Sequence, residues 1–491
     1  MRVEQELKLR ILDPSAAAWE KITQYPLLAL GAMPPLQFHA LYYDSQKGML
    51  QRAKLAYRVR REGQAWVATL KAEGHSTGGL HQRPEWNVTV SSSEPDLTVF
   101  SDSEAATRLA PFLETPLQVI LETRFERRES RVNGADGGQI LVALDRGEMR
   151  AQGLRAPILE LELELVSGDA ATMLEMGAAL CRDLPLLPDD ESKMSRGLRL
   201  AGLLPSDPRA MRDKMPPLHR RDSAGRVLSH LLIRQSQQAL TEVMRHASAD
   251  TPEHFHQLRK SVRSLRALLH FCRPLDHANH LTGIRQALAR WFHAQNIRRD
   301  HEVLAAYWET LAQETETEAR PLRHWLAAQG ARVDAQHGQL AAALLQLWAT
   351  LLREELQSDQ DVQGYVERHL QRQDRKLAAA GDHFKTAADF HALRIRIKNW
   401  RYVILALGAL WPSKDSKILL KLLAALQETS GGIHDADMAR QHLTGLAASR
   451  KHGLAFHAGI LMGYLHARES RQRKKFRKHW KQLESAPRPW G

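Results

Sequence analysis

Cysteine is scarce in this chain, and long hydrophobic runs are absent. Only Cys181 and Cys272 occur among 491 residues, too few for a disulfide scaffold or a cysteine-rich zinc site. Such scarcity is typical of a reducing compartment. The longest apolar run, over 402–411, has about ten residues, whereas a bilayer-spanning helix needs about twenty. Because charges begin at the second residue, we expect no signal peptide, no membrane partner and a cytoplasmic location.

Aromatic residues are few as well, at 6%, but the overall composition is globular. Hydrophobic residues make up 43% of the chain and charged residues 25%, which excludes wholesale disorder. The length predicts about two to four domains.

The net charge of +13 is distributed unevenly. Residues 1–205 contain 24 Lys and Arg against 28 Asp and Glu, a net of −4. The remaining residues contain 45 against 28, a net of +17, and also 21 of the 24 histidines. This asymmetry predicts two separate tasks and a polyanionic partner for the second part.

The first part of the chain has a β-rich pattern. Period-two alternation predicts strands at 2–10, 54–61, 65–72, 83–90, 117–131, 139–145 and 157–166. Helices are expected near 15–24, 102–112 and 169–182. Asp136-Gly137 and Arg146-Gly147 are typical of turns. We therefore predict an antiparallel sheet with a few helices.

A proline-rich segment separates this part from the next. Pro205 and Pro208 begin it and Pro216-Pro217 end it, and proline disfavours helix in the residue before it. Beyond it, apolar residues recur at spacings of three and four, which predicts about eight to ten helices. We predict a β-rich domain at 1–204, a linker at 205–220 and a helical domain at 221–485. The fold class is α+β.

Charged residues occupy one face of several predicted strands. Glu4, Glu6 and Lys8 alternate and must point the same way, because strand side chains alternate between faces. Other strands repeat the pattern with Arg58 and Arg60, Thr69 and Lys71, Arg83 and Glu85, and Glu160, Glu162 and Glu164. A solvated face is the alternative, but acids and bases segregate by strand, which favours one shared lumen. Carboxylates suit Mg²⁺ or Mn²⁺ and cations suit phosphate oxygens, so the lumen fits a metal–polyphosphate complex.

These strands resemble the CYTH domains, or triphosphate tunnel metalloenzymes. The resemblance covers roughly residues 1–203 and includes, in the order of the family, Glu4-x-Glu6-x-Lys8, Tyr43-Asp44, Leu55-x-x-Arg58-x-Arg60, Thr69-Leu70-Lys71, Arg83-x-Glu85, Asp145-x-Gly147, the Glu160-Glu162-Glu164 strand and Ser192-Lys193-x-x-Arg196-Gly197. It implies an eight-stranded antiparallel tunnel with outer helices, whose polar lumen binds triphosphate.

The resemblance also implies a role for each matching residue. The implied metal ligands are Glu4, Glu6, Asp145, Glu160 and Glu162. The implied phosphate-binding residues are Lys8, Arg58, Arg60, Lys71, Arg83, Arg127, Lys193 and Arg196. Lys8 and Glu85 are the implied catalytic residues.

Three positions leave alternatives open. Asn87 stands where family members often continue the acidic alternation, so a metal role for Glu85 is open. Asp145 fits a metal ligand or the cap of a hairpin. Arg124 is the alternative to Arg127, which we favour because the spacing Phe125-x-Arg127 fits better.

The helical part contains an internal repeat with an offset of 135 residues. The four residues His256, Arg259, Arg263 and Arg266 recur as His391, Arg394, Lys398 and Arg401, and Asp300 recurs as Asp435. With Lys260 in the first copy and Tyr402 in the second, each set forms one stripe of a helix. A solvated charged face is the alternative, but the duplication favours a site, and a polyanion would relieve the repulsion among the cations. Arginines beside the histidines argue against zinc.

This half resembles a CHAD domain, the conserved-histidine α-helical domain often found behind CYTH. The resemblance covers about residues 220–485 and depends on the two stripes, on Arg299-Asp300 and on the segment from Gln427 to Asp435. His434 stands where asparagine is more usual. The resemblance implies duplicated four-helix bundles around a basic groove that binds inorganic polyphosphate.

The two resemblances together imply a metal-dependent inorganic triphosphatase, using Mg²⁺ or Mn²⁺, with a polyphosphate-binding domain. The cytoplasm at large and polyphosphate granules are the two alternatives for its location. Thiamine triphosphatase or adenylate cyclase activity in the same tunnel, or a non-catalytic granule-binding protein, are the alternatives. No Ser or Cys nucleophile motif is present, so we expect direct attack by water. The positive charge alone leaves a nucleic-acid partner open, but no helix-turn-helix, zinc-finger or single-strand-binding signature is present, which disfavours one. The sequence leaves the oligomeric state open.

Overall fold

The computed structural model describes residues 2–30, 34–101, 103–205, 219–315, 320–330, 336–381, 387–411, 413–448 and 452–490. Most of the predicted linker, including Pro208 and Pro216-Pro217, lies outside these ranges. The predicted domain limits therefore stay predictions.

A closed antiparallel barrel occupies the first part of the chain. Its strands are β1 (Arg2–Ile11), β2 (Leu36–Asp44), β3 (Ala56–Glu62), β4 (Ala65–Lys71), β5 (His75–Thr77), β6 (Leu80–Val90), β7 (Gln118–Asn133), β8 (Gln139–Ala151), β9 (Leu154–Ser167) and β10 (Leu186–Pro188). They pair in the order β10-β1-β9-β8-β7-β2-β3-β4-β6-β5, and β1 also pairs with β6. That last pairing closes eight strands into a barrel, with β5 and β10 as short additions. The predicted eight-stranded tunnel is thus confirmed.

Fifteen α-helices are present in the described part of the chain. The first five are α1 (Ala16–Thr23), α2 (Met49–Arg52), α3 (Ser103–Leu109), α4 (Ala170–Asp183) and α5 (Lys193–Leu200). The others are α6 (Ala224–Ser248), α7 (Pro252–Phe271), α8 (Thr282–Ala294), α9 (Asn296–Glu314), α10 (Arg320–Gly330), α11 (His337–Arg353), α12 (Val362–Gly381), α13 (Ala387–Leu407), α14 (Lys414–Ala447) and α15 (His452–Glu484). These ten agree with the eight to ten expected. Among the described residues, none of the helices combines the length and the hydropathy needed to cross a bilayer.

The turn predicted at Arg146-Gly147 is wrong, because both residues lie inside β8. Gly147 pairs with Phe125 of β7, and a Cβ at Gly147 would lie 2.1 Å from the backbone oxygen of Arg124. The glycine is there to let two strands approach closely, not to turn the chain. The turn comes later, at Gln152 and Gly153, which both have positive φ.

The second strand, β2, was not predicted from the sequence. Leu41, Tyr42 and Tyr43 are consecutive apolar residues and break the period of two. The structure accommodates them by a register shift against β7 between Tyr42 and Tyr43. Such a bulge changes which face each side chain points to, so alternation alone does not identify the strand.

Apolar residues on the outer face of the barrel pack under its helices. Leu161 and Leu163, on the leucine face of β9, are fully buried. Helix α4 packs on β1 and β9. Asp169 starts α4 as its N-cap, because its carboxylate accepts from the Thr172 backbone N–H at 2.6 Å. The polar residues of β9 are thereby directed towards the lumen.

The chain divides into two compact units that do not follow the sequence order. The first comprises residues 1–213, 236–250 and 337–354, and the second the remainder. The first unit therefore contains α11 and the second half of α6. Within it, α11 packs along α4, and Arg353 donates to Glu175 at 2.9 Å and to Thr172 at 2.8 Å.

The second unit is helical. One core, with Trp308, Leu322, Leu443 and Leu461 fully buried, joins α9, α10, α14 and α15. The helix α13 packs against α7, α12 and α14. Because α7 and α13 carry the two copies of the repeat, this packing brings the repeated stripes together.

Candidate functional sites

A cavity of about 330 Å³ lies inside the barrel and is lined mainly by charged side chains. Its cations are Lys8, Arg58, Arg60, Lys71, Arg83, Arg127 and Lys193, and its acids are Glu4, Glu6, Glu85, Glu129, Glu162 and Glu164. Of the predicted phosphate-binding residues, only Arg196 is not in this lining. Of the predicted metal ligands, Asp145 and Glu160 are fully buried in the wall behind it.

Strand register explains why opposite charges meet in the lumen. Glu4 of β1 lies opposite Arg83 of β6, and Lys8 of β1 lies opposite Glu162 of β9. Lys71 of β4 lies opposite Glu85 of β6. Directly opposite residues share a face of the sheet, so Glu4, Glu85 and Glu162 each have a cation on the neighbouring strand.

The deepest part of the site is an ion-pair network around Asp145. Arg127 holds the Asp145 carboxylate with two hydrogen bonds, at 2.6 and 2.7 Å. Lys193 lies 2.8 Å from Asp145 and 2.9 Å from Glu162 and also pairs with Glu160. Burial alone would raise the pKa of Glu162, but Lys193, Lys8 and Arg127 hold it well below its usual value. Glu162 is therefore an ionised carboxylate.

This network also separates the two readings of Asp145. Asp145 lies inside β8, and its carboxylate binds Arg127 and Lys193, so it does not cap a hairpin. Among the described residues, Asp145, Glu160 and Glu162 are the one group of three or more potential ligands whose atoms all lie within 4.8 Å. A metal role for this group stays a prediction.

The donor set fits a divalent cation. Glu6 is buried, and its Oε1 atom has no hydrogen-bond partner, the Lys8 ammonium lying 3.8 Å away. A buried carboxylate oxygen of this kind is costly without a partner, and oxygen ligands are those that Mg²⁺ and Mn²⁺ prefer. The residues present therefore suit the metal that the sequence analysis predicts.

A second network joins Glu4 and Glu85 through Lys71. The Lys71 ammonium lies 3.0 Å from Glu4 and 2.5 Å from Glu85. Burial raises the pKa of Glu4 to about 7, with Lys71 opposing and Glu6 and Glu85 adding to the rise. Burial also tends to raise the pKa of Glu85, but Lys71, the hydrogen bond with Glu4 and Arg58 lower it overall. When this pair takes up a proton, Glu4 therefore binds it in preference to Glu85.

His81 is a residue of the site that sequence reasoning missed. Its Nε2 lies 2.9 Å from the carbonyl oxygen of Asp189, which can only accept, so Nε2 carries the hydrogen. Its Nδ1 then accepts from the Arg83 guanidinium at 3.3 Å. Burial, Lys8 and Arg83 lower the pKa of His81 well below its usual value, so the ring is neutral. The period-two spacing from Arg83 was the signal that could have found it.

The remaining arginines occupy distinct positions. Arg58 donates to Thr69 at 3.2 Å, and its guanidinium lies 6.0 Å from the ring centre of Tyr42, another lining residue that the sequence analysis missed. Arg124 is exposed and pairs with Glu122, so Arg127 is the arginine of this strand that faces the lumen. The predicted phosphate-binding residue Arg196 instead donates to Glu160 at 2.7 Å.

In the helical unit, cations from the two repeats converge. Burial is the main cause that lowers the pKa of Lys398 to about 6, and repulsion from Arg394, Arg263 and Arg259 lowers it further. Burial and repulsion from Arg263 also lower the pKa of Arg259 to about 9, and burial is the main cause that lowers the pKa of Arg394 to about 10. We call Arg259, Arg263, Arg394 and Lys398 the basic cluster.

The other residues of the two stripes surround the basic cluster unevenly. Arg266 lies 4.8 Å above the ring centre of Phe292, and Arg401 donates to Gln427 at 3.2 Å. Lys260 is exposed, whereas Tyr402 is buried. The two histidines, His256 and His391, both have a pKa lowered by burial and by nearby cations. Asp435 accepts from Tyr307 at 2.9 Å and partly offsets the positive charge of Arg394 and Lys398.

Comparison with known proteins assigns both parts of the chain. A CYTH family model matches residues 3–198, and a CHAD family model matches residues 230–444. The chain therefore contains a CYTH domain followed by a CHAD domain.

Individual relatives cover the chain only in part. The inorganic triphosphatase of Haemophilus influenzae is 33% identical over 163 residues, which are 32% of this chain and 44% of that protein. The matched segment thus spans less than half of the relative. The CHAD domain structure from Ricinus communis is 21% identical and covers 57% of this chain and 98% of its own, with a TM-score of 0.44. A Hippeastrum protein, described as a proposed adenylyl cyclase with a dominant triphosphatase activity, is 19% identical and covers 41% and 97%, with a TM-score of 0.32. Both scores are low, and the assignment depends on the family models.

Proposed function

We propose that the barrel hydrolyses inorganic triphosphate to diphosphate and phosphate with Mg²⁺ or Mn²⁺, and that the helical unit binds inorganic polyphosphate. The observation that carries the first proposal is the lining of the lumen, in which seven cations and six carboxylates surround one cavity. Cations bind phosphate oxygens, and carboxylates bind the metal that accompanies a polyphosphate substrate. The triphosphatase from Haemophilus influenzae supports this choice.

The lining also favours a substrate without a base or a ring. The apolar residues in contact with the cavity are few: Ala56, Phe125, Leu141 and Met194, with Tyr42 beside them. The Phe125 ring already has Arg127 at 5.6 Å and Lys193 at 5.2 Å from its centre. An aromatic face engaged by two cations is a poor platform for stacking a base. Inorganic triphosphate is therefore favoured over thiamine triphosphate and nucleotides.

Hydrolysis would depend on positioning and charge. Glu4, Glu6, Asp145, Glu160 and Glu162 would hold the metal, which, when bound, neutralises charge on phosphate oxygens and activates water. Arg58 and Arg83 make no ion pair with any described residue and so keep their charge for the substrate. Lys8 approaches Glu6, Glu160 and Glu162 at 3.4–3.8 Å, so it would hold a phosphate beside the ligands. In such reactions most of the rate enhancement comes from orientation and electrostatic stabilisation.

A phosphate-release assay tests the activity. Tripolyphosphate, thiamine triphosphate, ATP and long polyphosphate are compared, each with Mg²⁺, with Mn²⁺ and with EDTA. We expect turnover of tripolyphosphate that requires metal, and its loss in Glu6→Gln with an unchanged circular dichroism spectrum. A preference for ATP or thiamine triphosphate would show that the proposed substrate is wrong. Full activity in EDTA would disprove metal dependence.

The basic cluster carries the second proposal. Burial and mutual repulsion lower the pKa of Arg259, Arg394 and Lys398 together, which shows that positive charge is concentrated without enough acid to balance it. A polyanion would remove that repulsion. We expect polyphosphate affinity to fall with salt by about 0.7 logarithmic units per phosphate contact for each tenfold rise in salt. Replacing Arg259, Arg263, Arg394 and Arg401 should flatten this dependence and leave tripolyphosphate hydrolysis intact; an unchanged slope would count against the site, leaving a solvated surface.

A further inference from the structure

A run of exposed cations on α15 lies outside the two repeated stripes. Six residues make up this α15 ridge: Arg471, Lys474, Lys475, Arg477, Lys478 and Lys481. All six are exposed, and no acid interrupts the chain between Glu469 and Glu484. None of the six forms an ion pair with any residue in the described part of the chain. Six unbalanced charges within eleven residues repel each other, so the ridge is costly unless an anion binds it.

The ridge begins beside the basic cluster. Arg468, one turn before Arg471, lies 5.3 Å from the ring centre of Tyr307. Tyr307 in turn donates to Asp435, whose carboxylate interacts with Arg394 and Lys398. The contacts thus connect α15 with the basic cluster through one tyrosine and one aspartate.

Helical spacing gives the ridge a direction. Arg471, Lys475 and Lys478 follow Arg468 at steps of three, four and three, so they lie along one face of the helix. At 1.5 Å per residue, the line from Arg468 to Lys478 is about 15 Å long. A linear anion bound at the cluster would meet a further row of cations only if it were long enough to reach them.

The chemistry of the ridge favours a chain of phosphates over a nucleic acid. Single-stranded nucleic acids bind through bases stacked on aromatic side chains as well as through phosphates. The aromatic residues of this segment, Phe476 and Trp480, are 1% and 5% exposed and pack inward. The ridge therefore offers charge without a stacking surface, which suits a polymer made of phosphate alone.

We infer that the α15 ridge binds the outer part of a long polyphosphate chain whose inner part occupies the basic cluster. This inference rests on the proposed binding of polyphosphate by the helical unit. It makes the affinity for polyphosphate depend on chain length. A chain too short to reach from the cluster to Lys478 gains no affinity from the ridge, whereas a chain of several tens of phosphates binds more tightly because it contacts both.

The test compares two triple variants with the same change in charge. The ridge variant is Arg471→Gln, Lys475→Gln and Lys478→Gln. The control is Lys414→Gln, Lys417→Gln and Lys421→Gln, three exposed lysines on one face of α14 at steps of three and four. The nearest of them, Lys421, lies about 21 Å along the helix axis from Asp435. Binding of short and long sodium polyphosphate is measured in EDTA, which prevents hydrolysis, over a range of salt concentrations.

We expect the ridge variant alone to lose affinity for the long chain, with the salt slope flattened by about 2, or about 0.7 for each of three lost contacts. Its affinity for the short chain should equal that of the wild type. Equal losses in the ridge and control variants would reduce the effect to net charge and overturn the inference. Equal losses for short and long chains, or single-stranded DNA bound as tightly as polyphosphate through the same lysines, would also overturn it. A wild-type chain that binds neither polyphosphate would instead disprove the proposed function itself.

Discussion

At the scale of single residues, the partner of Arg83 differs from those of its neighbours in the lumen. Arg127, Lys71 and Lys193 are all paired with carboxylates, whereas Arg83 donates to the neutral ring of His81. A neutral acceptor orients the guanidinium without cancelling its charge. Arg83 therefore keeps its charge, and His81 is its positioning residue.

Removing the acceptor should weaken anion binding through Arg83 alone. We expect His81→Leu to reduce the affinity for tripolyphosphate in EDTA about tenfold, or about 1.4 kcal/mol, which is close to the lower limit for a hydrogen bond to a charged group. His81→Gln, which keeps an acceptor, should restore most of it. In an Arg83→Ala background His81→Leu should have no further effect. An equal loss in that background would show that His81 acts through general structure.

Lys398 gives the helical unit a pH dependence with a definite sign. Its pKa is lowered to about 6, so it is largely neutral at pH 7 in the free protein, and a bound polyanion would raise the pKa again. Polyphosphate binding would then take up a proton. We therefore expect the affinity for polyphosphate to be greatest below pH 6 and to fall as the pH rises from 6 to 8, by at most about tenfold per pH unit for one group. His391 and His434 lie nearby, with a pKa of about 4 for His434.

The substitution Lys398→Arg separates Lys398 from these histidines, because arginine stays charged throughout this range. We expect its polyphosphate affinity to be nearly constant between pH 6 and 8, and calorimetry in buffers of different ionisation enthalpy to show about one proton fewer taken up. The same pH dependence in the wild type and the variant would assign the effect to other groups.

The lumen residues could be predicted from the sequence, but their pairings could not. Alternation along one strand places Glu4, Glu6 and Lys8 on a common face, and this depends only on local geometry. The partners come from strand register: Lys8 lies opposite Glu162, more than 150 residues away in the chain. Register is set by turns, bulges and closure of the barrel, and a single sequence does not specify these. Arg196, expected in the lumen, lies on α5 instead of a strand and donates to Glu160.

At the scale of secondary-structure elements, the close approach of β7 to β8 explains why a glycine lies inside β8 at position 147. A methyl group at this position would lie 2.1 Å from a backbone oxygen and 2.5 Å from the Phe125 Cα atom, so the strands themselves would have to separate. The sequence offers a glycine after Arg146 and suggests a turn; only the neighbouring strand shows why the glycine is required. β2 was missed for a related reason, since its bulge disrupts the alternation.

We expect Gly147→Ala to destabilise the barrel by about 1–3 kcal/mol, as overpacking does in well-packed regions. Unfolding by denaturant is measured, and the loss of tripolyphosphate binding in EDTA serves as the signal that the barrel has unfolded. Gly283→Ala in α8 is the control, because nothing lies within 4 Å of the added methyl group and alanine favours a helix. If Gly147→Ala were as stable as the wild type, β7 and β8 would be able to separate without a loss of stability.

At the scale of the whole molecule, the first compact unit depends on residues far beyond the barrel in sequence. The Asp190 carboxylate accepts from the backbone N–H of Gly79 at 2.7 Å and from Thr241 of α6 at 2.5 Å. Gly338 of α11 approaches the backbone oxygen of Cys181 so closely that a Cβ would lie 2.3 Å from it. Composition and charge located the change from β-rich to helical sequence, but they could not show that two later helices fold with the barrel.

A fragment of residues 1–205 should therefore retain every lumen residue and yet be less stable than the barrel in the full chain. It lacks α11, which packs along α4, and Thr241, which binds Asp190. In the full chain, the hydrogen bonds from Gly79 and Thr241 oppose the rise of the Asp190 pKa, to about 6, that burial causes. A carboxylate with a raised pKa contributes less stability at neutral pH, where it must be ionised.

We expect a lower melting temperature for the fragment, measured by thermal unfolding with and without tripolyphosphate in EDTA. The full chain with Thr241→Val should show a smaller decrease of the same sign, since it removes only the hydroxyl. A fragment that melts at the temperature of the intact barrel would show that the later helices only rest on α4 and that the barrel is complete without them.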